Sequence, residues 1–239
     1  MIKKIVKPFL IFTLTTALFS CGNKSEQKEE TSAVVDTPAT VTTPETPAFQ
    51  PFDIIKISHK VKDYAKWRMA FDKDSTARNA SGLGFIVIGR NADNDNDLSI
   101  YLNVSDMEKA KEFAASPRLK DVMQQNGVIS KPDIAYYHVI RFNAESKEKK
   151  WVTITHKVKD FDAWVKVYDD EGIETRKKQG MIDVVMARGV EDANMVHLVF
   201  DITDMDKAKA AIFSEEKKKL MMSAGVEGAP KIEFFTSAD

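Results

Sequence analysis

Two histidines stand at matching places in two similar stretches of this sequence. His59 and His156 each lie late in a segment of alternating apolar residues, in phase with the apolar positions. An imidazole titrates close to neutral pH, so in a cavity it can act as a general base or bind a metal ion. The alternative is a core histidine that donates one hydrogen bond. Neither residue has a companion His or carboxylate at short ligand spacing, so we predict no metal site.

A third histidine, His197, occurs in the second stretch, and Ser99 stands at its place in the first. His197 shares one strand face with Asp201, and Ser99, Tyr101 and Asn103 form the matching face of the other copy. If the apolar faces pack on helices, these five side chains line a shared interior that could bind a ligand. The alternative is a filled interface whose polar groups satisfy one another. His197 is then the third candidate general base.

Two arginines, Arg78 and Arg176, lie late in the first predicted helix of each copy. They could clamp an anion. Ion pairing at the surface is the more usual role of such arginines, and it is what we expect here.

The histidines belong to an internal repeat. Residues 59–63 and 156–160 both read HKVKD, an offset of 97, and the offset is 98 between Gly82 and Gly180, so the second copy carries one inserted residue. Most of the folded part is therefore one supersecondary unit used twice, and we expect any site to lie between the halves.

Each copy predicts the element order β-α-β-β-α-β, which is the ferredoxin-like pattern. Asp63 caps the first helix, Trp67 and Trp164 lie on its apolar stripe, and Pro117 interrupts the second helix. Such a module covers one sheet face with helices, and its other face needs a partner, which the second copy supplies. We predict an α+β fold of two tandem βαββαβ modules, residues 52–142 and 151–239, joined by a linker at 143–150 and enclosing a barrel-like core.

The first 51 residues predict a membrane-anchored leader. Residues 1–21 have a basic start and an apolar run, and they end at Cys21, which Gly22 follows. This resembles the lipobox of a bacterial lipoprotein, in which the cysteine thiol carries the lipid. Residues 22–51 are rich in Pro, Thr and Glu and predict a disordered tether. These features place the protein in a bacterial cell envelope, with the outer membrane preferred and its face left open.

The two modules together resemble the dimeric α/β-barrel superfamily, which includes antibiotic-biosynthesis-monooxygenase-like proteins and stress-responsive barrels. In the first copy the resemblance is carried by His59, Asp63, Tyr64, Trp67, Phe71, Asp72, Arg78, Gly82, Phe113, Ser116, Pro117, Leu119, Met123, Gly127 and Pro132. The second copy keeps His156, Asp160, Trp164, Asp169, Gly180, Ser214, Met221, Gly225 and Pro230, and departs at Phe161, Tyr168, Glu215 and Lys217. The resemblance implies a single-chain dimeric α/β barrel and permits a monooxygenase-like activity.

Composition narrows the function classes. The single cysteine, if lipidated, leaves no thiol for catalysis or metal binding, and the formal net charge of −1 with no basic stripe argues against nucleic-acid binding. We expect a small apolar or aromatic ligand between the modules, no cofactor, a membrane contact through the lipid and a monomeric folded part. The alternatives are a cofactor-independent monooxygenase-like enzyme and a structural or partner-binding surface lipoprotein with a filled barrel.

Overall fold

The computed structural model describes residues 49–145 and 147–238, so Cys21 and almost all of the predicted tether lie outside the described residues. The described chain folds as one closed, antiparallel eight-stranded barrel with helices packed outside it. Around the barrel the strand order is β1-β3-β2-β8-β5-β7-β6-β4, and β4 pairs with β1 to close it. The strands are β1 Phe52–Lys60, β2 Leu83–Asn91, β3 Asp97–Val104, β4 Asp133–Phe142, β5 Lys150–Val158, β6 Met181–Gly189, β7 Met195–Ile202 and β8 Val226–Ser237.

The barrel consists of two four-stranded sheets, one from each module. Strands β1 to β4 form the order 4-1-3-2 and β5 to β8 form the order 8-5-7-6, as the ferredoxin-like pattern predicts. The α+β fold of two tandem modules is therefore confirmed. The sheets meet edge to edge: β4 pairs with β6 over five residue pairs, and β2 pairs with β8 over three.

Each helix predicted from the sequence is split into two. Module 1 has α1 Tyr64–Lys73, α2 Ser75–Ala80, α3 Met107–Ala115 and α4 Pro117–Gln125; module 2 has α5 Phe161–Glu171, α6 Ile173–Lys178, α7 Met205–Ile212 and α8 Glu215–Ser223. Local caps fix the helix starts: the Asp63 carboxylate accepts a hydrogen bond from the Lys66 N–H at 3.1 Å, and Ser116 caps α4. In the described ranges no helix is long and apolar enough to cross a membrane.

The break between α5 and α6 locates the inserted residue of the second copy. Gly172 separates α5 from α6 and has a φ of 83°, a left-handed conformation that favours glycine. In module 1, Asp74 separates α1 from α2, and its equivalent in module 2, Glu171, is the last residue of α5, so Gly172 is the extra residue. With Gly172 as the insertion, Arg176 occupies the same place in α6 that Arg78 occupies in α2. The two arginines are therefore structural equivalents.

Alternation along the strands gives the protein three cores. One strand face of each module packs on its own helices, around Trp67 in module 1 and Trp164 in module 2. The opposite faces of both modules meet inside the barrel, around Ile54, Tyr137 and Val139.

Candidate functional site

The polar residues expected to line the shared interior do lie inside the barrel. Four of them are buried and one, Asn103, is partly exposed; the set is Ser99, Tyr101, Asn103, His197 and Asp201. Asp201 accepts a hydrogen bond from the backbone N–H of Glu148 at 3.1 Å. The two small apolar cavities described below are lined by other residues. The ligand cavity expected between the modules therefore stays a prediction, and the side chains of this interior pack around His197.

His197 fills the middle of that interior. Its Nδ1 lies 2.7 Å from the Thr155 hydroxyl and its Nε2 lies 3.3 Å from the Tyr101 hydroxyl. The ring of Tyr137 stacks on it, with ring centroids 4.6 Å apart. Burial, assisted by the positive charges of Lys56 and Lys231, holds the pKa of His197 well below its usual value. His197 is thus a neutral imidazole with a hydrogen-bond partner at each ring nitrogen.

A chain of alternating charges crosses the barrel beside His197. Lys56 of module 1 is buried and lies 3.1 Å from the carboxylate of Glu233 in module 2. Lys231 lies 3.4 Å from Glu233 and 3.5 Å from Asp133 of module 1. These residues were not singled out from the sequence. The chain of charges ties the two modules together.

His59 and His156 point to the opposite side of the sheet, toward the helices of their own modules. Each meets the helix tryptophan edge-on, with ring centroids 5.4 Å apart for His59 and Trp67 and 5.5 Å apart for His156 and Trp164. The three candidate bases therefore do not form one site. The structure places His59 and His156 in two equivalent sites, one in each module.

Both of these imidazoles are buried without a hydrogen-bond partner. Among the described residues, neither Nδ1 nor Nε2 has a partner in either ring, and each histidine is 5 % exposed. Burial lowers the pKa of both from 6.5 to about 4, so both rings are neutral at physiological pH. A neutral imidazole offers one donor and one acceptor, and leaving each of them unpaired in the interior costs about 1–3 kcal/mol.

Each imidazole lines a small apolar cavity between the sheet and the helices. The two cavities have about the same volume, 60 Å³ each. Module 1 supplies His59, Trp67, Phe71, Asp74, Arg78 and Asn126 to its cavity, among other, mostly apolar, residues. Module 2 supplies His156, Trp164, Tyr168, Glu171, Arg176 and Lys217 in the same way.

In module 2 the arginine of the cavity is fully paired. Arg176 is 2 % exposed and donates through Nε and Nη2 to Asp183, at 2.8 and 2.7 Å. Its Nη1 donates to the carbonyl of Tyr168 and lies 3.5 Å from Glu171, which also binds the ammonium group of Lys217. The sequence-based expectation of surface ion pairs is wrong for this arginine, because the α5–α6 break turns it inward.

In module 1 the equivalent arginine is paired less completely. Arg78 is 6 % exposed, donates through Nη1 to the carbonyl of Phe71 at 2.5 Å, and lies over the Phe71 ring at 3.6 Å. The nearby carboxylate of Asp74 binds Arg118. Burial lowers the pKa of Arg78 more than Asp74 raises it. At Arg176 burial also lowers the pKa, but the hydrogen bond to Asp183 and the charges of Tyr168, Asp183 and Glu171 together outweigh it, and the pKa is raised.

These sites can bind a small, mainly apolar molecule that carries a hydrogen-bonding group for the imidazole. They can also accept a proton from it, since the rings are neutral. Among the residues that the structure describes, no group of three or more His, Cys, Asp or Glu side chains is arranged to hold a metal ion.

No protein-family model matches this sequence, and no curated protein matches it. Solved structures do resemble it. An anthrone oxidase-like protein has a TM-score of 0.52 at 12 % identity, covering 79 % of this chain and 92 % of its own. A candidate monooxygenase from Fusobacterium nucleatum subsp. nucleatum ATCC 25586 also scores 0.52, at 13 % identity over 79 % and 93 %.

A candidate monooxygenase from Lactobacillus acidophilus NCFM has a TM-score of 0.50 at 13 % identity, covering 78 % of this chain and 94 % of its own. At such identities the likeness shows the fold and leaves the activity open. The architecture and these neighbours together show that the chain has the fold of a ferredoxin-like α/β barrel, built here from two tandem modules.

Proposed function

We propose that this protein is a lipid-anchored envelope protein that binds a small, mainly apolar ligand in each of its two module cavities. The observation that carries the proposal is the pair of buried imidazoles, His59 and His156, whose ring nitrogens have no partner among the described residues. Unpaired polar groups are costly in a core, and here the cost recurs at both equivalent places. A ligand with one hydroxyl, carbonyl or amide group would remove it.

The cavity volume limits the ligand. About 60 Å³ is less than the roughly 150 Å³ of an engineered cavity that binds benzene. The sites as they stand suit a molecule of a few heavy atoms. An aromatic ring would fit only if the helices over the cavity moved outward, and the break between α1 and α2 at Asp74 is a place where they could bend.

Native mass spectrometry of the protein released from its own envelope tests the binding function. We expect a reproducible extra mass that disappears on denaturation and that decreases in His59→Leu and in His156→Leu. His138→Leu is the matched control, because His138 lies on the barrel wall and pairs with Asp53 instead of lining a cavity. If the protein released from its native envelope has the mass of the chain without a ligand, and the mass spectra of all variants show no extra mass either, a structural or partner-binding lipoprotein with a filled barrel is favoured.

The membrane address rests on the sequence of residues 1–21. We propose that Cys21 carries the lipid and that residues 22–51 hold the barrel away from the membrane surface. Growth with a labelled fatty acid checks this: the label should enter the wild-type chain and be absent from Cys21→Ala. A labelled Cys21→Ala chain would place the acyl group elsewhere.

A second candidate is a cofactor-independent monooxygenase-like enzyme. It is favoured by the neutral acceptor nitrogens of His59 and His156, which could take a proton from a bound phenol or activated CH group in a site that excludes water. Oxygen uptake with anthrone tests it, since one O₂ and one anthrone give one anthraquinone and one water. Anthrone would enter the cavity only with the outward helix movement described above. Uptake that persists unchanged in the double variant His59→Leu/His156→Leu would exclude these histidines as the base.

A further inference from the structure

The arginines that line the two cavities have different partners, and the difference comes from a correlated change at two equivalent positions. Module 2 has Tyr168 and Asp183, and the Tyr168 hydroxyl donates to the Asp183 carboxylate at 2.8 Å. Module 1 has Phe71 and Phe85 at the same places, with ring centroids 6.0 Å apart. The strand registers confirm the equivalence, because Phe85 pairs with Leu102 and Asp183 pairs with Phe200, 98 residues later in each case.

This change leaves two donors of Arg78 without an acceptor. Arg176 uses its Nε and Nη2 to bind Asp183 in a bidentate manner. Arg78 uses Nη1 for the carbonyl of Phe71, as Arg176 does for Tyr168, but no described residue accepts from its Nε or Nη2. These two N–H groups form the planar fork that matches a carboxylate. In module 2, Asp183 fills the fork from within the chain.

The charges around each arginine lead to the same conclusion. In module 1, Asp74 is shared by Arg78 and Arg118, which leaves one positive charge uncompensated. Asp72 and Arg68 also act on Arg78, but they pair with each other at 2.9 Å.

In module 2 the charges around the arginine are balanced. Asp183 and Glu171 compensate Arg176 and Lys217. The neighbouring Asp169 pairs with Arg141 at 2.5 Å, as Asp72 pairs with Arg68 in module 1.

A second polar group distinguishes the cavities. Asn126 lines the module 1 cavity and donates to the carbonyl of Val122 at 2.7 Å. Ala224 lines the module 2 cavity at the equivalent position. Both cavities keep the same imidazole and tryptophan, and they differ in whether a carboxylate of the chain binds the Nε and Nη2 of the lining arginine.

We propose that the two cavities have diverged in ligand class: module 1 binds a small carboxylate, whose anionic group takes the place that Asp183 holds in module 2, and module 2 binds an uncharged molecule of similar size. This inference rests on the proposed function, namely that the two cavities bind ligands at all. The apolar part of the carboxylate lies toward His59 and Trp67, which line the same cavity as Arg78.

The test uses the full chain labelled with 5-fluorotryptophan and followed by ¹⁹F NMR. The sequence has three tryptophans, of which Trp67 lines the module 1 cavity and Trp164 the module 2 cavity. Single Trp→Phe variants assign the signals.

The probes are butyrate and butyramide, which have nearly the same shape and differ in charge. We expect butyrate to shift the Trp67 signal with a Kd about tenfold lower than that of butyramide, as one charge-assisted pair implies. At Trp164 butyramide should bind at least as well as butyrate.

Two variants exchange the charge between the modules. Phe85→Asp supplies the missing carboxylate at a position that is 44 % exposed, so folding is not at risk, and Phe85→Asn is its neutral control. Phe85→Asp should weaken butyrate at Trp67 about tenfold and leave butyramide unchanged, whereas Phe85→Asn should leave the preference for butyrate in place. Asp183→Asn should give the Trp164 site a new preference for butyrate.

The outcomes separate this inference from the proposed function. Equal affinity of both probes at Trp67, or a preference for butyrate that survives Phe85→Asp, would refute the divergence and leave the ligand cavities standing. No shift of Trp67 or Trp164 with either probe, up to the solubility limit, would contradict both the divergence and the cavities as binding sites.

Discussion

Tyr137 of module 1 stacks on His197 of module 2 with their ring planes 22° apart, so an aromatic pair bridges the two halves at the centre of the barrel. His197 is fully buried, and its ring also contacts two hydroxyl groups. We expect His197→Ala to lower the free energy of unfolding by about 3 kcal/mol, since it leaves a cavity and removes the partners of both hydroxyls. Urea denaturation measures this. Ser99→Ala, at the equivalent strand position, should cost less than about 1 kcal/mol; an equal cost would mean that the stack contributes nothing.

Stability should fall as the pH decreases from 6.5 to about 4. The pKa values of His59 and His156 are lowered from 6.5 to about 4 by burial, so in this window the unfolded chain binds protons that the folded chain does not. Each histidine should account for a loss of about 3 kcal/mol across the window, at about 1.4 kcal/mol per pKa unit. Urea denaturation at several pH values measures the slope, which should be shallower in His59→Leu/His156→Leu.

Removing an unpaired imidazole should stabilise the ligand-free protein. In His59→Leu an apolar side chain of similar size replaces two unpaired polar atoms, and we expect a gain of about 1–2 kcal/mol at pH 7. His156→Leu is the internal replicate, because the site recurs in module 2. Differential scanning calorimetry of ligand-free protein measures the change. A loss of stability in both variants would show that the histidines hold the core together instead of serving a ligand.

The helix tryptophans should be essential to each module. Trp67 and Trp164 are buried against the sheet and pack on the aromatic ring one helical turn away. Trp67→Ala and Trp164→Ala should each cost about 3–5 kcal/mol of stability, as for other large core aromatics. Chemical denaturation of each variant checks this, and a cost below about 1 kcal/mol would contradict the packing described for that module.

The folded part should be monomeric. Each sheet already has the other module at both of its edges, so no strand of the barrel is left unpaired for a second copy. Size-exclusion chromatography with light scattering on residues 47–239, the compact unit of the chain, measures the mass. A dimer at micromolar concentration would mean that a surface outside the barrel edges associates.

The architecture could be predicted from the sequence because the repeat is visible in residues 59–63 and 156–160 and each copy has the ferredoxin-like order. The phase of His197 against the apolar residues of its strand also predicted correctly that it faces the barrel interior. The repeat and the alternation of apolar residues along a strand are local patterns that can be read from the sequence.

The position of the cavities could not be predicted in the same way. Alternation tells which residues share a face, but it does not tell whether that face is filled, and the ring of Tyr137 that fills the barrel centre comes from a strand 60 residues before His197. The pairing of Arg176 with Asp183 was missed because it depends on where the inserted residue lies, and the structure assigns it to Gly172.

The two seams between the modules are unequal: β4 and β6 share five residue pairs, whereas β2 and β8 share three. In a barrel assembled from two identical chains, a twofold axis forces both seams to be the same. Fusion of the two copies into one chain removes that constraint. At the shorter seam, Gly89 leaves room for the ring of Trp151, which would lie 2.5 Å from a Cβ added at Gly89. Each position of the repeated unit occurs twice in the chain, and a substitution can alter one copy without altering the other. One module can therefore keep a binding property while the other module acquires a different one.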